Sequence, residues 1–264
     1  LTAYCGGIGH IASAYSIVEI LFVLYIKKIL KYDAANPKWA QRDRLIVSKG
    51  HGSLALYTIL SLAGFFKREE LWTFCRQGTR LGGEPNPLEI PCVEAATGSL
   101  GHGLSIGIGM ALAQKLDDIN SKTYVIIGDG EQQEGNIWEA AISAANFKLD
   151  NLTVILDNNH IQKMGFVKDI ISTDDWRSKW ESFGWNVSEV NGHNIDELQQ
   201  SFLAKSQKDK PRIIIADTIK GKGLSIMENA PQWHYKVPNK KEMKQAMQEL
   251  DISEMELEQC KKNF

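Results

Sequence analysis

Two short segments of this sequence could hold a divalent cation and a diphosphate between them. The first is Gly128-Asp129-Gly130, which closes the apolar run YVIIG; the second is Asp157-Asn158-Asn159, which follows LTVIL. Asp129 offers a hard carboxylate oxygen and Asn159 an amide oxygen, donors that suit magnesium or calcium rather than zinc. Each ends a run of strand character, so each is expected at a strand C-terminal end, where open parallel sheets bind their ligands. The glycines beside Asp129 let the backbone approach an anion closely, and a helix starting soon after would turn free N–H groups toward it. Asp-Gly alone is also an ordinary turn. The spacing argues for more: 27 residues separate Gly130 from Asn158. That is the length of one helix and one strand, so a βαβ crossover would deliver both oxygens to adjacent strand tips.

The elements that must position these groups follow from hydrophobic period. Helix-period segments at 12–30, 53–63, 103–117, 137–147 and 176–184 alternate with short β-branched runs at 45–48, 123–128, 152–157 and 213–218. Such alternation predicts an α/β fold with a parallel sheet flanked by helices on both faces. Residues 78–92 are rich in glycine and proline, carry Glu84 and Asn86, and are expected to form an irregular loop of the kind that contributes to sites. Residues 1–238 read as one domain. From 239 onward the composition turns polar and charged, which predicts a surface helix and a frayed tail over 239–264.

Bulk composition narrows the partners. With 43% hydrophobic and 23% charged residues in 264, the chain can bury one substantial core. A formal net charge of -2 gives no basic footprint, so neither nucleic acid nor an anionic membrane is expected as a partner. The apolar stretch SIVEILFVLYIKKIL is interrupted by Glu19, Lys27 and Lys28 and reads as a buried amphipathic helix rather than a membrane span. Cys5, Cys75, Cys92 and Cys260 lack paired metal spacing and read as reduced thiols, which with no visible secretory signal points to a cytoplasmic location. Leu1 is not an initiator methionine, which implies residues upstream of it.

The GDG…DNN arrangement resembles the thiamin diphosphate motif, and EQQEGNIWEAA is similar to its transketolase version. The resemblance to transketolase continues through GHIASAYSIVEILFVLY, RDRLIVSKGHGSLALY, EAATGSLGHGLSIGIGMALA and KGKGLSIMENAPQWH, so it covers nearly the whole chain. It is confined to the diphosphate-binding half: the pyrimidine-binding domain, with the glutamate that bonds the aminopyrimidine ring, has no counterpart. The resemblance therefore implies the N-terminal subunit of a split transketolase. It implies that magnesium, or calcium, is held by the Asp129 carboxylate, the Asn159 amide and the main-chain carbonyl of Ile161. It implies that Gly128, Gly130, His51 and the Gly98-Ser99-Leu100 turn contact the diphosphate. His10, His51 and His234 form the implied catalytic set: His10 and His234 bind substrate oxygens and relay protons, and His234 also touches the cofactor. Glu134 would lie near a subunit contact. Lys220 and Lys222 could approach the diphosphate but read first as a solvated charged loop, and His102, His160 and His193 as backbone-bonded structural residues.

The implied activity is transfer of a two-carbon ketol unit from a ketose or other sugar donor to an aldehyde. It would run in a two-plus-two assembly with a second transketolase-like chain carrying the pyrimidine-binding and C-terminal domains. At LGGEPN the transketolase pattern would have LGGHPE, so Glu84 replaces a histidine that touches sugar donors and Asn86 a glutamate. A carboxylate there would repel a phosphate-bearing donor and favour hydroxyls or an amine, which implies altered substrate specificity. GHIASAYS likewise puts methyl groups where glycines would be expected beside the cofactor, which points to specialised metabolism. Two alternatives stay open: the same cofactor serving condensation or decarboxylation of a 2-oxoacid, and a non-catalytic scaffold that keeps the ligands by descent.

Overall fold

The computed structural model describes residues 1–171 and 175–264. Its strands are β1 (Arg44–Val47), β2 (Thr123–Gly128), β3 (Leu152–Asn158), β4 (Ile161–Gln162), β5 (Gly165–Phe166), β6 (Asn186–Asn191) and β7 (Arg212–Asp217). Five of them form one sheet in the order β1-β2-β3-β7-β6, and β4 and β5 form a separate antiparallel hairpin just beyond β3. All pairs in the main sheet are parallel; Gly128 lies beside Asp157, and Asp157 beside Ala216. The helices are α1 (Thr2–Gly6), α2 (Ile11–Tyr15), α3 (Val18–Tyr25), α4 (Ser53–Leu62), α5 (His102–Leu116) and α6 (Gly135–Asn146). They continue with α7 (Val167–Ile170), α8 (Trp176–Ser182), α9 (Ile195–Leu203), α10 (Lys240–Glu249) and α11 (Glu254–Asn263).

Period-two alternation explains the layers. In β2, Tyr124 and Ile126 enter one buried cluster while Val125 and Ile127 enter the other; in β7, Ile214 and Ala216 oppose Ile213 and Ile215 in the same way. Strands apolar on both faces must be covered on both. The first cluster packs under α3, α4 and α9, the second under α5, α6 and α8. From β3 the chain passes over α8 to the edge strand β6, then returns through α9 to β7, which lies between them. The strand order therefore reverses beside β3, which opens a crevice at its C-terminal end.

The α/β expectation holds, with local differences. The helical segment at 12–30 is two helices, α2 and α3, broken where the Ser16 hydroxyl turns inward to the Asp157 carboxylate. The edge strand β6, NVSEVN, and the short α9 lack an apolar run of their own and were not anticipated by pattern. Residues 78–92 contain no helix or strand, as expected. In place of one helix and a frayed tail, 239–264 forms two helices, each opened by a capping box, Asn239 with Glu242 and Ser253 with Glu256. Met243, Met247 and Leu257 pack there against Leu1, Tyr4 and Cys5, and Arg76 donates to the carbonyls of Asn263 and Phe264. The few apolar residues are spaced four apart on α10, enough to dock a mostly polar segment. Among the described residues no helix is long and apolar enough to cross a membrane.

Ile126 is fully buried and Leu62 is 65% exposed. Ile126→Ala is expected to lower unfolding stability by about 2–5 kcal/mol, and Leu62→Ala by less than about 0.5 kcal/mol. Urea denaturation of the two variants checks the assignment of core and surface.

Candidate functional site

Four strand tips meet at the C-terminal edge of the sheet. β1 runs into Ser48-Lys49-Gly50-His51, β2 into Asp129, β3 into Asn159, and β7 into Thr218-Ile219-Lys220. At their centre lies Asp157, which is wholly buried. One of its oxygens accepts from Lys49 Nζ, from Ser16 Oγ at 2.8 Å and from Asn159 Nδ2 at 2.9 Å; the other accepts from Thr218 Oγ1. Burial alone would push this carboxyl up, but the charge and hydrogen bond of Lys49, with the hydroxyls of Thr218 and Ser16, hold it below the usual carboxylate range. A buried ion pair persists only when its remaining lone pairs are filled in this way.

Asp129, 3% exposed, is held differently. Its Oδ1 accepts from the Gly130 N–H at 2.7 Å, while its Oδ2 is buried with no hydrogen-bond partner. Burial and then the charge of Asp157 push the Asp129 carboxyl up to about 6, against the opposing pull of the Gly130 N–H, Lys49 and Lys220. A buried, unpaired carboxylate oxygen is costly unless a cation meets it. The loop after β3 reaches the same place. A methyl on Gly130 would stand 2.8 Å from Cβ of Gln162, so only glycine lets the two loops touch. Asn159 Oδ1 accepts from the Ile161 N–H at 3.2 Å, and the Ile161 carbonyl accepts from Lys220 Nζ at 3.2 Å. One carboxylate, one amide and one carbonyl are hard oxygen donors, a set that fits magnesium or calcium. Among the described residues no group of three or more His, Cys, Asp or Glu is arranged to hold a metal, so a cation here would depend on the amide and main-chain oxygens.

Glu131 ties these tips to the glycine-rich turn. It is 2% exposed and accepts from Ser48 Oγ, from the Gly101 N–H at 2.9 Å and from the Gly128 N–H at 3.0 Å. The Gly98-Ser99-Leu100 turn is thereby fixed beside Asp129. Gly98 has φ 138°, and a methyl on it would overlap the Glu84 carboxyl, which places Glu84 directly on this turn. Partial burial pushes the Glu84 carboxyl up.

Above the tips stand three histidines. Ring centroids are 5.4 Å apart for His10 and His51, 5.2 Å for His10 and His234, and 5.5 Å for His51 and His234. Hydrogen bonds settle two tautomers. His10 Nδ1 lies 3.0 Å from the His234 carbonyl, which can only accept, so Nδ1 carries the proton and Nε2 is left as an acceptor. Lys220 Nζ lies 2.8 Å from His234 Nδ1, so the ammonium donates and the neutral ring carries its proton on Nε2. Burial, then the charge of Lys220, lowers His234 to about 3; burial followed by Lys49 takes His51 well below its usual value, and burial also lowers His10. All three are neutral near pH 7. Tyr235 packs against His10 at 4.6 Å between centroids.

The sequence-derived set thus splits cleanly. His10, His51, His234, Asp129, Asn159, Ile161 and the 98–101 turn converge, whereas Glu134 sits exposed at the start of α6. The remaining histidines bond elsewhere: His193 accepts from the Ile219 N–H, backbone-bonded as expected, whereas His102 and His160 meet side chains instead, those of Asn136 and Asp217. Lys220 is a correction. It is 2% exposed and lies inside the site rather than in a solvated loop, and burial with Lys49 lowers it to about 8. Lys222 does face solvent, paired with Glu228. Lys49, Asp157 and Glu131 lie inside the quoted motifs, SKGHGS, DNN and EQQEGN, but the sequence assigns them no role.

The chain is similar to known proteins over most of its length. Residues 5–259 match the family described as "Transketolase, thiamine diphosphate binding domain". The chain is 42% identical over 243 residues to one of the subunits of apulose-4-phosphate transketolase from Phocaeicola vulgatus, covering 92% of this chain and 86% of that one. It is 42% identical over 246 residues to the 6-deoxy-6-sulfo-D-fructose transketolase subunit SqwG of a Clostridium species, covering 93% and 89%. A solved transketolase from Leishmania mexicana superposes with a TM-score of 0.83 at 26% identity over 99% of this chain, which spans only 44% of that enzyme.

The neutral histidines set a pH dependence. His234 is unprotonated in the fold but takes a proton near its ordinary value when unfolded, so its contribution is present above about pH 6.5 and is lost as pH falls toward about 3. His234→Gln is expected to flatten the fall of stability across that window, read from urea unfolding at a series of pH values; an unchanged slope would contradict the assigned burial.

Proposed function

This chain belongs to the transketolase family, as its N-terminal, thiamine diphosphate-binding subunit, and from that premise we propose how its residues divide the work with a partner. It is a transferase subunit that acts only together with a second chain. The single observation that carries the reading is the unpartnered Oδ2 of Asp129, buried beside the loop that bears Asn159 and Ile161, under three neutral histidines. Residues 1–238 would form the cofactor domain, with 239–264 docked on its start.

Asp129, Asn159 and the Ile161 carbonyl would hold magnesium or calcium, and Gly128, Gly130, His51 and the Gly98-Ser99-Leu100 turn would hold the diphosphate. Lys49 and Lys220 supply positive charge in a dry site, where it favours the doubly charged anion. Bound thiamin diphosphate would supply a carbon nucleophile able to carry a two-carbon ketol unit between carbonyls. His10, with a free Nε2, can accept a proton from a donor hydroxyl, and His234, with Nε2–H, can donate to the carbonyl oxygen as charge develops there. The pyrimidine end and its activating glutamate would come from the partner.

The relatives' names specify ketoses with a phosphate or a sulfonate at one end. Glu84, seated on the Gly98 turn, would keep such an anionic end away from the cofactor and meet hydroxyls instead, which supports a ketose donor bound tail outward. A two-plus-two assembly would bury exposed apolar residues of α5 and α6 such as Ile106, Leu116 and Ile142, with Glu134 at the start of α6. Four unpaired thiols suit a reducing, cytoplasmic setting.

Turnover of a ketose donor is expected only when this chain is mixed with its partner and a divalent ion; ketol transfer by the isolated chain would refute the division of the site. Glu84→His is expected to raise kcat/KM of the reconstituted enzyme for a phosphorylated over an unphosphorylated ketose by about tenfold or more, measured in parallel assays.

A further inference from the structure

Asn159 can offer a cation either end of its amide, and only one is useful. Oxygen and nitrogen are nearly equal in size, so packing does not distinguish them. Two hydrogen bonds do. Nδ2 donates to Asp157 Oδ2 at 2.9 Å, and Oδ1 accepts from the Ile161 N–H at 3.2 Å. Rotating the amide by half a turn would set Oδ1 against the carboxylate and Nδ2 against an N–H, two repulsions in place of two bonds. The Ile161 N–H would favour the oxygen weakly by itself; the buried carboxylate makes the choice firm, because bonds to ionised groups are about twice as strong as neutral ones.

Asp157 is suited to this and to little else. Lys49, Ser16 and Thr218 hold its two oxygens in a fixed place, from chain segments 108, 141 and 61 residues away in sequence. Being wholly buried, it has no open side on which to receive a ligand itself. We infer that Asp157 is the positioning residue of the cation site, locking the Asn159 amide with its oxygen turned away from the sheet and along the loop that carries the Ile161 carbonyl. This rests on the metal ligands proposed above, and it assigns a task to a residue that touches neither metal nor cofactor. Partners that orient a ligand in this way are worth about 10–100-fold in metal affinity.

The test is binding of Mn2+ in the presence of thiamin diphosphate to the chain mixed with its partner, followed by electron paramagnetic resonance of the free ion. Binding by the wild type tests the proposed ligand set itself; its absence would sink that reading and this one together. Given wild-type binding, Asp157→Asn is expected to weaken Mn2+ by about 10–100-fold, while Leu62→Ala, on the exposed side of α4, leaves it unchanged. A folded Asp157→Asn chain that binds Mn2+ as tightly as wild type overturns the inference. Should that variant not fold, Asn159→Asp decides. If Asn159 serves only as an oxygen donor, the added charge tightens Mn2+ binding. If its N–H must meet Asp157, two carboxylates face each other and binding weakens by about tenfold or more. Equal or tighter binding by Asn159→Asp therefore overturns the inference as well.

Discussion

The structure depends on a cluster of buried charges at one edge of a parallel sheet, two lysines among the carboxylates of Asp157, Asp129 and Glu131. Lys49 and Lys220 stand among Asp157 and Asp129, all of them 3% exposed or less. Breaking up such a group by removing one member leaves its counter-charge stranded, at about 3–5 kcal/mol for a typical buried pair. The two aspartates are nevertheless unequal. Asp157 is saturated with donors, whereas Asp129 keeps one oxygen bare, so the balance is complete without a ligand on one side and open to a cation on the other. The sheet makes this arrangement: the register that sets Gly128 beside Asp157 brings a turn and a loop from neighbouring strands to the same height.

The same charges keep the histidines neutral. Lys220 both donates to His234 and repels a proton from it, and Lys49 acts on His51 through the space between them. One imidazole is left with an open acceptor and another with an open donor. The polarity of the upper site is thus determined by the lysines beneath it, and the Glu131 carboxylate, bonded to three separate segments, keeps the glycine turn at the correct distance.

Much of this was legible in the sequence because strand ends are. Apolar runs such as TYVIIG and LTVILD announce where a strand stops, and the next residue is then placed to within a turn. Asp129 and Asn159 could be paired for that reason. Lys49 and Asp157 could not, since a lysine and an aspartate 108 residues apart carry no mark of their bond. Lys220 looked like a surface charge in a glycine-rich loop, and only the packing of that loop over β7 buries it. The edge strand β6 escaped for the opposite reason: only Val187 and Val190 are apolar, on opposite faces, and Glu189 and Asn191 are exposed, so it lacks the apolar run that marked its neighbours. The folded tail escaped because its apolar residues are scattered through a charged stretch, and Met243, Met247 and Leu257 look negligible until α1 is beside them.

Four indole rings gather behind the Asp129 turn. Trp138, Trp176, Trp180 and Trp185 form a contiguous chain of ring contacts, and Gln132, three residues beyond Asp129, accepts from two of them, through its side chain from Trp180 at 2.7 Å and through its carbonyl from Trp138 at 2.9 Å. Any displacement of that turn therefore pulls on two indole N–H groups at once, so the aromatic wall braces the stretch of chain that carries the Asp129 carboxylate.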